Sequence, residues 1–176
     1  MTIKIQLVDD EPSILKSLQR LLKPFGWDIH AFDNPTEALE ALLEHDYAVI
    51  VSDYKMPTMD GVTYLRFAKQ RQPDAMRMIL SAHGDRHSMI QAINQAEIYR
   101  FLSKPWEDYE IEAALRAAID LSQLKAENRR LLQEVHVQQQ RVRERESELL
   151  RLEREHPGIT RVRRDEDGSV MIDEKL

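Results

Sequence analysis

The chain has no cysteine among its 176 residues, so a disulfide framework and a zinc site built on thiolates are both excluded. It also lacks an apolar run of about 18 residues, the length that a membrane-spanning helix needs. The N-terminus carries no basic flank followed by an apolar core, so no signal peptide is predicted. We therefore expect a cytoplasmic protein with no membrane partner.

Positive charge is scarce relative to negative charge. Lysine and arginine number 25 against 31 for aspartate and glutamate, and the formal net charge is −6. This balance argues against a nucleic-acid partner, because nucleic-acid binding uses a basic surface. Hydrophobic residues make up 42% of the chain and charged residues 32%. The hydrophobic residues suffice for the core of one domain. The high share of charged residues indicates that part of the chain is a charged, solvated helix.

Glycine and proline are absent between Glu107 and Glu155, so one helix of about 49 residues could run through this segment. With Leu121 at position a of a heptad, most a and d positions are apolar, which predicts a coiled coil. Asn128 at an a position favours a parallel pair of helices, and hence a homodimer. Gln138 and Arg145 weaken the distal half of this seam. The predicted dimer contacts are Leu121, Leu124, Asn128, Leu131, Val135, Val142, Leu149 and Leu152.

The first 120 residues have a different pattern, in which short apolar runs alternate with amphipathic segments of helical period. Five such units predict a parallel sheet with helices on both faces, joined by right-handed crossovers. We thus divide the chain into an α/β domain at 1–120, a coiled-coil helix at 121–155 and a short β-hairpin or tail at 156–176. The hairpin prediction depends on a turn signature, "DEDG", between two short alternating runs.

Three carboxylates, those of Asp9, Asp10 and Glu11, follow the first predicted strand without interruption. Two unit charges about 4 Å apart repel each other by roughly 4 kcal/mol at an effective dielectric constant of about 20. Unless the side chains point apart into solvent, a cation must neutralise them. Pro12 then begins a helix, so the acids also lie near a positive helix end.

Polar residues end the later predicted strands as well. Asp53 follows the third strand, Ser81 the fourth and Lys104 the fifth. Because sites in parallel sheets lie at the carboxyl ends of the strands, we expect these side chains to converge with Asp9 and Asp10. Carboxylate oxygens suit Mg²⁺, and a lysine and a hydroxyl can hold a phosphoryl group. A carboxylate can itself accept the phosphoryl group as an aspartyl-phosphate.

Four motifs, "LVDDEP", "VIVSDYKMPTMDG", "LSA" and "RFLSKPW", stand at these strand ends. In order and spacing, the segment from about residue 3 to residue 120 resembles the receiver domain of two-component response regulators. The resemblance implies a flavodoxin-like, doubly wound α/β fold with five parallel strands in the order 2-1-3-4-5. It also implies that Asp53 is the phosphoacceptor, that a sensor histidine kinase is the donor and that Mg²⁺ is the cofactor.

The resemblance assigns a role to each residue around the phosphoacceptor. Asp10 would bind Mg²⁺ directly, Asp9 mostly through water, and the backbone carbonyl of Lys55 would supply a further ligand beside Asp53. Lys104 would pair with Asp53 at rest and with the phosphoryl group afterwards.

The remaining roles implied by the resemblance concern the switch and the shape of the loops. Ser81 would turn its hydroxyl onto a phosphoryl oxygen, and Phe101 would rotate into the space that Ser81 vacates. Phe101 departs from the tyrosine that the family commonly has at this position, so a signal that needs the phenol hydroxyl is excluded. Pro105 would follow a cis peptide bond, and Pro57 and Gly61 would shape the loop after Asp53.

We therefore expect a response regulator that signals through its dimeric helix to an unknown downstream protein. It would catalyse only its own aspartyl phosphorylation and dephosphorylation. One alternative is a receiver-plus-linker fragment of a larger regulator with an enzymatic output domain, such as a cyclic-nucleotide phosphodiesterase or a phosphatase. Another is a phosphate sink, in which the helix only dimerises.

Overall fold

A parallel sheet forms the centre of the molecule, for which a computed structural model describes residues 2–82 and 96–157. Within these residues the sheet has five strands in the order β2-β1-β3-β4-β5, and every neighbouring pair is parallel. This confirms the predicted fold class and strand order. The strands are β1 (Lys4–Val8), β2 (Asp28–Phe32), β3 (Val49–Asp53), β4 (Met76–Ala82) and β5 (Arg100–Lys104).

Helices connect the strands and cover both faces of the sheet. Proline is the first residue of α1 and of α2, where its missing N–H costs no helical hydrogen bond. The side chains of Asn34 and Asp60 cap α2 and α3 by accepting backbone N–H groups of the first turn. The described helices are α1 (Pro12–Leu22), α2 (Pro35–Glu44), α3 (Gly61–Arg71) and α4 (Asp108–Glu155), with a short 3₁₀ turn at Lys23–Phe25.

Two apolar clusters flank the sheet, one on each face. The first joins β1, β3 and β4 to α1 and to the beginning of α4. The second packs α2 and α3 against the opposite face. Every residue of β3 is buried, as its unbroken apolar run predicts for a central strand covered on both sides. The sheet is therefore a rigid platform whose strand ends have fixed relative positions.

The register brings the carboxyl ends of the strands to one edge. Val8 lies opposite Ser52, Asp53 opposite Leu80, and Ala82 opposite Lys104. We predicted that Asp53 and Lys104 follow their strands, whereas they are the last residues of β3 and β5. Ser81 likewise belongs to β4. Backbone pairing thus fixes these three residues more firmly than a loop would.

Helix α4 confirms the predicted long helix but leaves its pairing as a prediction. The first compact unit of the chain ends at Glu127, and the predicted boundary at residue 120 stays a prediction. Most of the predicted hairpin lies outside the described residues, and so does the whole of segment 86–95, for which the sequence predicts a helix. None of the helices within residues 2–82 and 96–157 is both long and apolar enough to cross a membrane.

Candidate functional site

Lys104 is the centre of the polar cluster at the carboxyl edge of the sheet. Its ammonium lies 2.7 Å from a carboxylate oxygen of Asp9 and also forms an ion pair with Asp53. The carboxylate of Glu11 is 4.0 Å away. The pair between Lys104 and Asp53 is the resting arrangement that the resemblance implied. The contact with Asp9 is one that sequence reasoning missed, because strand ends alone do not show which of two adjacent carboxylates points inward.

Asp9 is almost completely enclosed, with 1% of its side chain exposed. Its second oxygen accepts a hydrogen bond of 3.0 Å from the backbone N–H of Glu11. Burial raises the pKa of Asp9, and the hydrogen bonds from Lys104 and Glu11 offset this only in part. Asp9 is therefore a buried carboxylate that depends on a neighbouring cation to remain charged.

The pKa of Lys104 is also raised. Burial alone would lower this pKa, but the hydrogen bonds to Asp53 and Asp9 outweigh it. The pKa values of Asp9 and Lys104 are thus both raised, but with opposite effects on charge: a raised pKa favours the charged form of the lysine and the neutral form of the aspartate. The two shifts are consistent because Lys104 pairs with two carboxylates, whereas Asp9 shares this one ammonium with Asp53. The site thus has an excess of negative charge.

Asp53 is held from two sides. One carboxylate oxygen pairs with Lys104, and the other accepts a 2.8 Å hydrogen bond from the backbone N–H of Lys55. The hydroxyl of Ser52 donates to the backbone carbonyl of Asp53 at 2.9 Å. With 9% of its side chain exposed, Asp53 is fixed in orientation but remains reachable from the edge of the sheet. Such an oriented carboxylate can act as a nucleophile.

Gly61 lies against the backbone of Asp53 at the start of α3. A Cβ at this position would come within 2.0 Å of the carbonyl oxygen of Asp53 and 3.0 Å of the hydroxyl of Ser52. The glycine is therefore required by a close approach of two backbone segments. The sequence indicated a special turn at Gly61, but only the packing shows that the neighbour is the strand that carries Asp53.

The other predicted site residues surround this centre at different depths. Asp10 is half-buried between β1 and α1, and the hydroxyl-bearing Ser81 is buried in β4. Phe101, opposite Ile79 in the sheet, is half-buried and packs against the cluster formed with α2 and α3. Pro57 and the side chain of Lys55 are exposed. The peptide bond between Lys104 and Pro105 is cis, as the resemblance implied.

The donor atoms of this site suit a hard divalent cation. Asp9, Asp10 and Asp53 offer only oxygen ligands, and the buried Asp9 needs a positive neighbour. Within the described residues no group of three or more acidic or histidine side chains is arranged to hold a metal ion. Mg²⁺ takes one or two carboxylates and completes its shell with water. The type of donor atom therefore fits Mg²⁺, with one or two of these carboxylates, and not all three, as direct ligands.

Replacing Lys104 by Met removes the ammonium that Asp9 and Asp53 share. We expect the Lys104→Met variant to lose about 3 kcal/mol of folding stability at pH 8, because it leaves two enclosed carboxylates without a cation. Without Lys104 the pKa of Asp9 rises further, so protonation of Asp9 restores stability as the pH falls. The stability difference from wild type should therefore shrink between pH 8 and pH 5 in urea unfolding.

The matched control is Lys16→Met, which removes an exposed lysine of α1. It should change stability by less than about 0.5 kcal/mol at both pH values. A Lys104→Met deficit that stays constant from pH 8 to pH 5 would contradict the shared-cation account of Asp9.

Comparison with known proteins agrees with this geometry. The family model described as the response regulator receiver domain matches residues 5–116. The hydrogenase transcriptional regulatory protein HoxA of Bradyrhizobium diazoefficiens is 32% identical over 124 residues, which cover 70% of this chain. Those residues are only 25% of HoxA, so this chain spans about a quarter of that relative.

Two solved structures are similar over the same region. The signal receiver domain of an HD domain-containing protein from Pseudomonas fluorescens Pf-5 is 37% identical, with a TM-score of 0.69, and the match covers 72% of this chain and 93% of that one. A chain described as adenylate cyclase from Rhodopirellula baltica is 30% identical, with a TM-score of 0.71, covering 76% of this chain and 98% of the other. By its matched family model and the position of its acidic cluster, the chain belongs to the response regulator receiver family.

Proposed function

We propose that Asp53 accepts a phosphoryl group from a phosphohistidine of a sensor histidine kinase. The observation that carries this proposal is the oriented carboxylate of Asp53, paired with Lys104 at the open edge of the sheet. A carboxylate oxygen forms a bond to phosphorus while the bond from phosphorus to the histidine nitrogen breaks. The electron pair of that bond stays on the imidazole, which then takes up a proton. No other chemistry is needed to form the aspartyl-phosphate.

The residues around Asp53 have separate tasks in this reaction. Lys104 holds the carboxylate in place and can follow the charge onto a phosphoryl oxygen without leaving Asp9. The hydroxyl of Ser81 donates to another phosphoryl oxygen. Asp10, Asp9, Asp53 and the backbone carbonyl of Lys55 would hold Mg²⁺, whose charge would reduce the repulsion between the carboxylates and the phosphoryl group. The chain would catalyse only its own phosphorylation and dephosphorylation.

Phosphorylation would be transmitted through Ser81 and Phe101. The proposal is supported by a surface cavity of 380 Å³ beside Phe101, which β5 lines together with Tyr109, Glu110 and Ala113 of α4. Movement of the Phe101 ring would change the surface where α4 begins. Because an added phosphate brings about 1.5–2 negative charges, it can shift a receiver between two arrangements.

We further propose that α4 pairs in parallel with the same helix of a second copy and presents the signal to a downstream protein. The support is the exposed apolar seam. Five of its members have between 46% and 58% of their surface exposed in one chain, and pairing would bury them. They are Leu124, Leu131, Val135, Val142 and Leu149.

A second candidate is a receiver and linker of a larger regulator with an enzymatic output. The observation that favours it is the similarity to the signal receiver domain of an HD domain-containing protein and to a chain described as adenylate cyclase. A third candidate, a phosphate sink, is distinguished by dimer affinity. Phosphorylation that leaves both the affinity and the geometry of the helix pair unchanged would favour the sink.

The phosphoacceptor is tested with Asp53→Asn. Wild type incubated with acetyl phosphate and Mg²⁺ should gain the mass of one phosphoryl group by intact mass spectrometry, and the variant should gain none, because the amide is not a nucleophile. Asp33→Asn changes an aspartate outside the cluster and should leave labelling unchanged. Labelling of Asp53→Asn at the wild-type rate would identify a different nucleophile.

The seam is tested with Asn128→Val. An apolar residue at this a position should tighten association by tenfold or more, since a buried asparagine costs about 1–2 kcal/mol, while relaxing the preference for two strands. Sedimentation equilibrium measures both effects. The coiled coil would be refuted if the wild-type chain and the Asn128→Val variant both stay monomeric up to the highest protein concentration that sedimentation equilibrium can measure.

A further inference from the structure

The receiver holds the first part of α4 along one face. The apolar residues of this face belong to the same core cluster as β1, β3 and β4, and the face ends at Ser122, which is 6% exposed. The receiver therefore covers one side of the helix over about three turns. The buried residues of this face are Ile111, Ala114, Leu115, Ala118, Ile119 and Ser122.

Leu121, the first a residue of the predicted dimer seam, lies beside this buried face. Its side chain is half-buried and packs against the core cluster of its own receiver. Leu124, the next seam residue, is 58% exposed. At about 100° per residue, Leu124 points about 60° further away from the buried face than Leu121 does. On this side of the helix, the cover that the receiver provides therefore ends between Leu121 and Leu124.

Arg116 holds α4 on the other side of the buried face. Its guanidinium carbon lies 4.9 Å from the centre of the Phe25 ring and 5.8 Å from that of the Trp27 ring. These two rings are stacked, with their centroids 4.9 Å apart. Residues 116 and 121 point in directions about 140° apart around the helix axis. Contacts on both sides of the buried face therefore resist rotation of α4 about its own axis.

The contact that Leu121 makes within its own chain excludes the contact that the heptad pattern predicts. In a parallel coiled coil, each a residue fills a space between four residues of the other helix. A side chain that packs on the core of its own receiver cannot fill that space at the same time. The next two seam residues, Leu124 and Asn128, are exposed, so both are accessible to a second helix.

We propose that the helices of two copies begin to pair at Leu124, whereas Leu121 stays in the core of its own receiver. The inference rests on the parallel dimer proposed above, and it removes Leu121 from the predicted dimer contacts. It agrees with the extent of the first compact unit of the chain, which continues to Glu127. Asn128 is then the first a residue of the pair, so the polar layer that favours two parallel helices lies where pairing begins.

This placement leaves no free linker between the receiver and the start of the dimer interface. Leu121 and Leu124 are about one turn apart in an unbroken helix. Because Arg116 and Leu121 hold that helix from two sides, the receiver sets the direction in which Leu124 points. A change in the receiver surface that holds α4 would therefore turn the first residue of the seam directly.

Disulfide crosslinking shows where pairing begins, because the chain has no cysteine of its own. Single-cysteine variants of the full chain are oxidised, and covalent dimers are measured by non-reducing gel electrophoresis. Leu124→Cys and Val135→Cys should crosslink about tenfold faster than Gln123→Cys, an exposed position outside the seam. Leu121→Cys should crosslink no faster than Gln123→Cys, although residues 121 and 135 both occupy a positions.

Alanine variants test the same placement without a new covalent bond. Both tryptophans, Trp27 and Trp106, pack against the receiver's core cluster, so their fluorescence reports unfolding of the receiver. Leu121→Ala should lower the thermal midpoint of the monomer by roughly 5 °C and change the dimer Kd by less than about twofold. Leu124→Ala should leave the midpoint unchanged and weaken the dimer by about tenfold in sedimentation equilibrium.

The inference would be overturned, with the dimer intact, if Leu121→Cys crosslinks as fast as Val135→Cys or if Leu121→Ala weakens the dimer as much as Leu124→Ala. A wild-type chain that is monomeric throughout, with no crosslinks at positions 124 and 135, would overturn the coiled coil and the inference together. Phosphoryl labelling of Asp53 is measured on the same samples, so a failure of the receiver chemistry is recognised separately from either result.

Discussion

The ion pairs of one lysine determine what the edge of this sheet can do. Lys104 joins Asp9, which follows β1, and Asp53, which ends β3; without a cation these two enclosed carboxylates would repel each other. The ammonium compensates for only part of their charge, and the raised pKa of Asp9 is the consequence. In the proposed function, a divalent cation would neutralise the remaining negative charge. The lysine also lies where a phosphoryl group on Asp53 would develop charge.

The fold supports this interaction by placing its members on paired backbone. Asp53 and Lys104 are terminal residues of β3 and β5, and β4, which carries Ser81, lies between those strands. Gly61 permits α3 to begin directly against Asp53, so the loop between them is closely held. The Asp53 carboxylate therefore has little freedom of its own, and this is the preorganisation that the proposed nucleophile would require. The sheet sets its position, and the backbone N–H of Lys55 in the following loop helps to fix its orientation.

Much of this arrangement could be predicted from the sequence. The apolar, β-branched run that ends at Asp53 identifies a central parallel strand, and the polar residues after successive strands identify the edge where a site lies. Three features could not be predicted. They are the inward orientation of the Asp9 side chain, the close approach of Gly61 to Asp53 and the packing of Leu121 on the receiver's core. All three depend on contacts between distant segments. Periodicity and spacing describe one segment at a time and do not contain that information.

The identity of Asp53 as the nucleophile is tested most directly with the wild-type chain. The chain is treated with acetyl phosphate and Mg²⁺, and the product is then reduced with borohydride. Reduction converts an aspartyl-phosphate into homoserine, which tandem mass spectrometry locates in the sequence. The account predicts homoserine at position 53 alone. Homoserine at position 9 or 10, with position 53 unchanged, would contradict it.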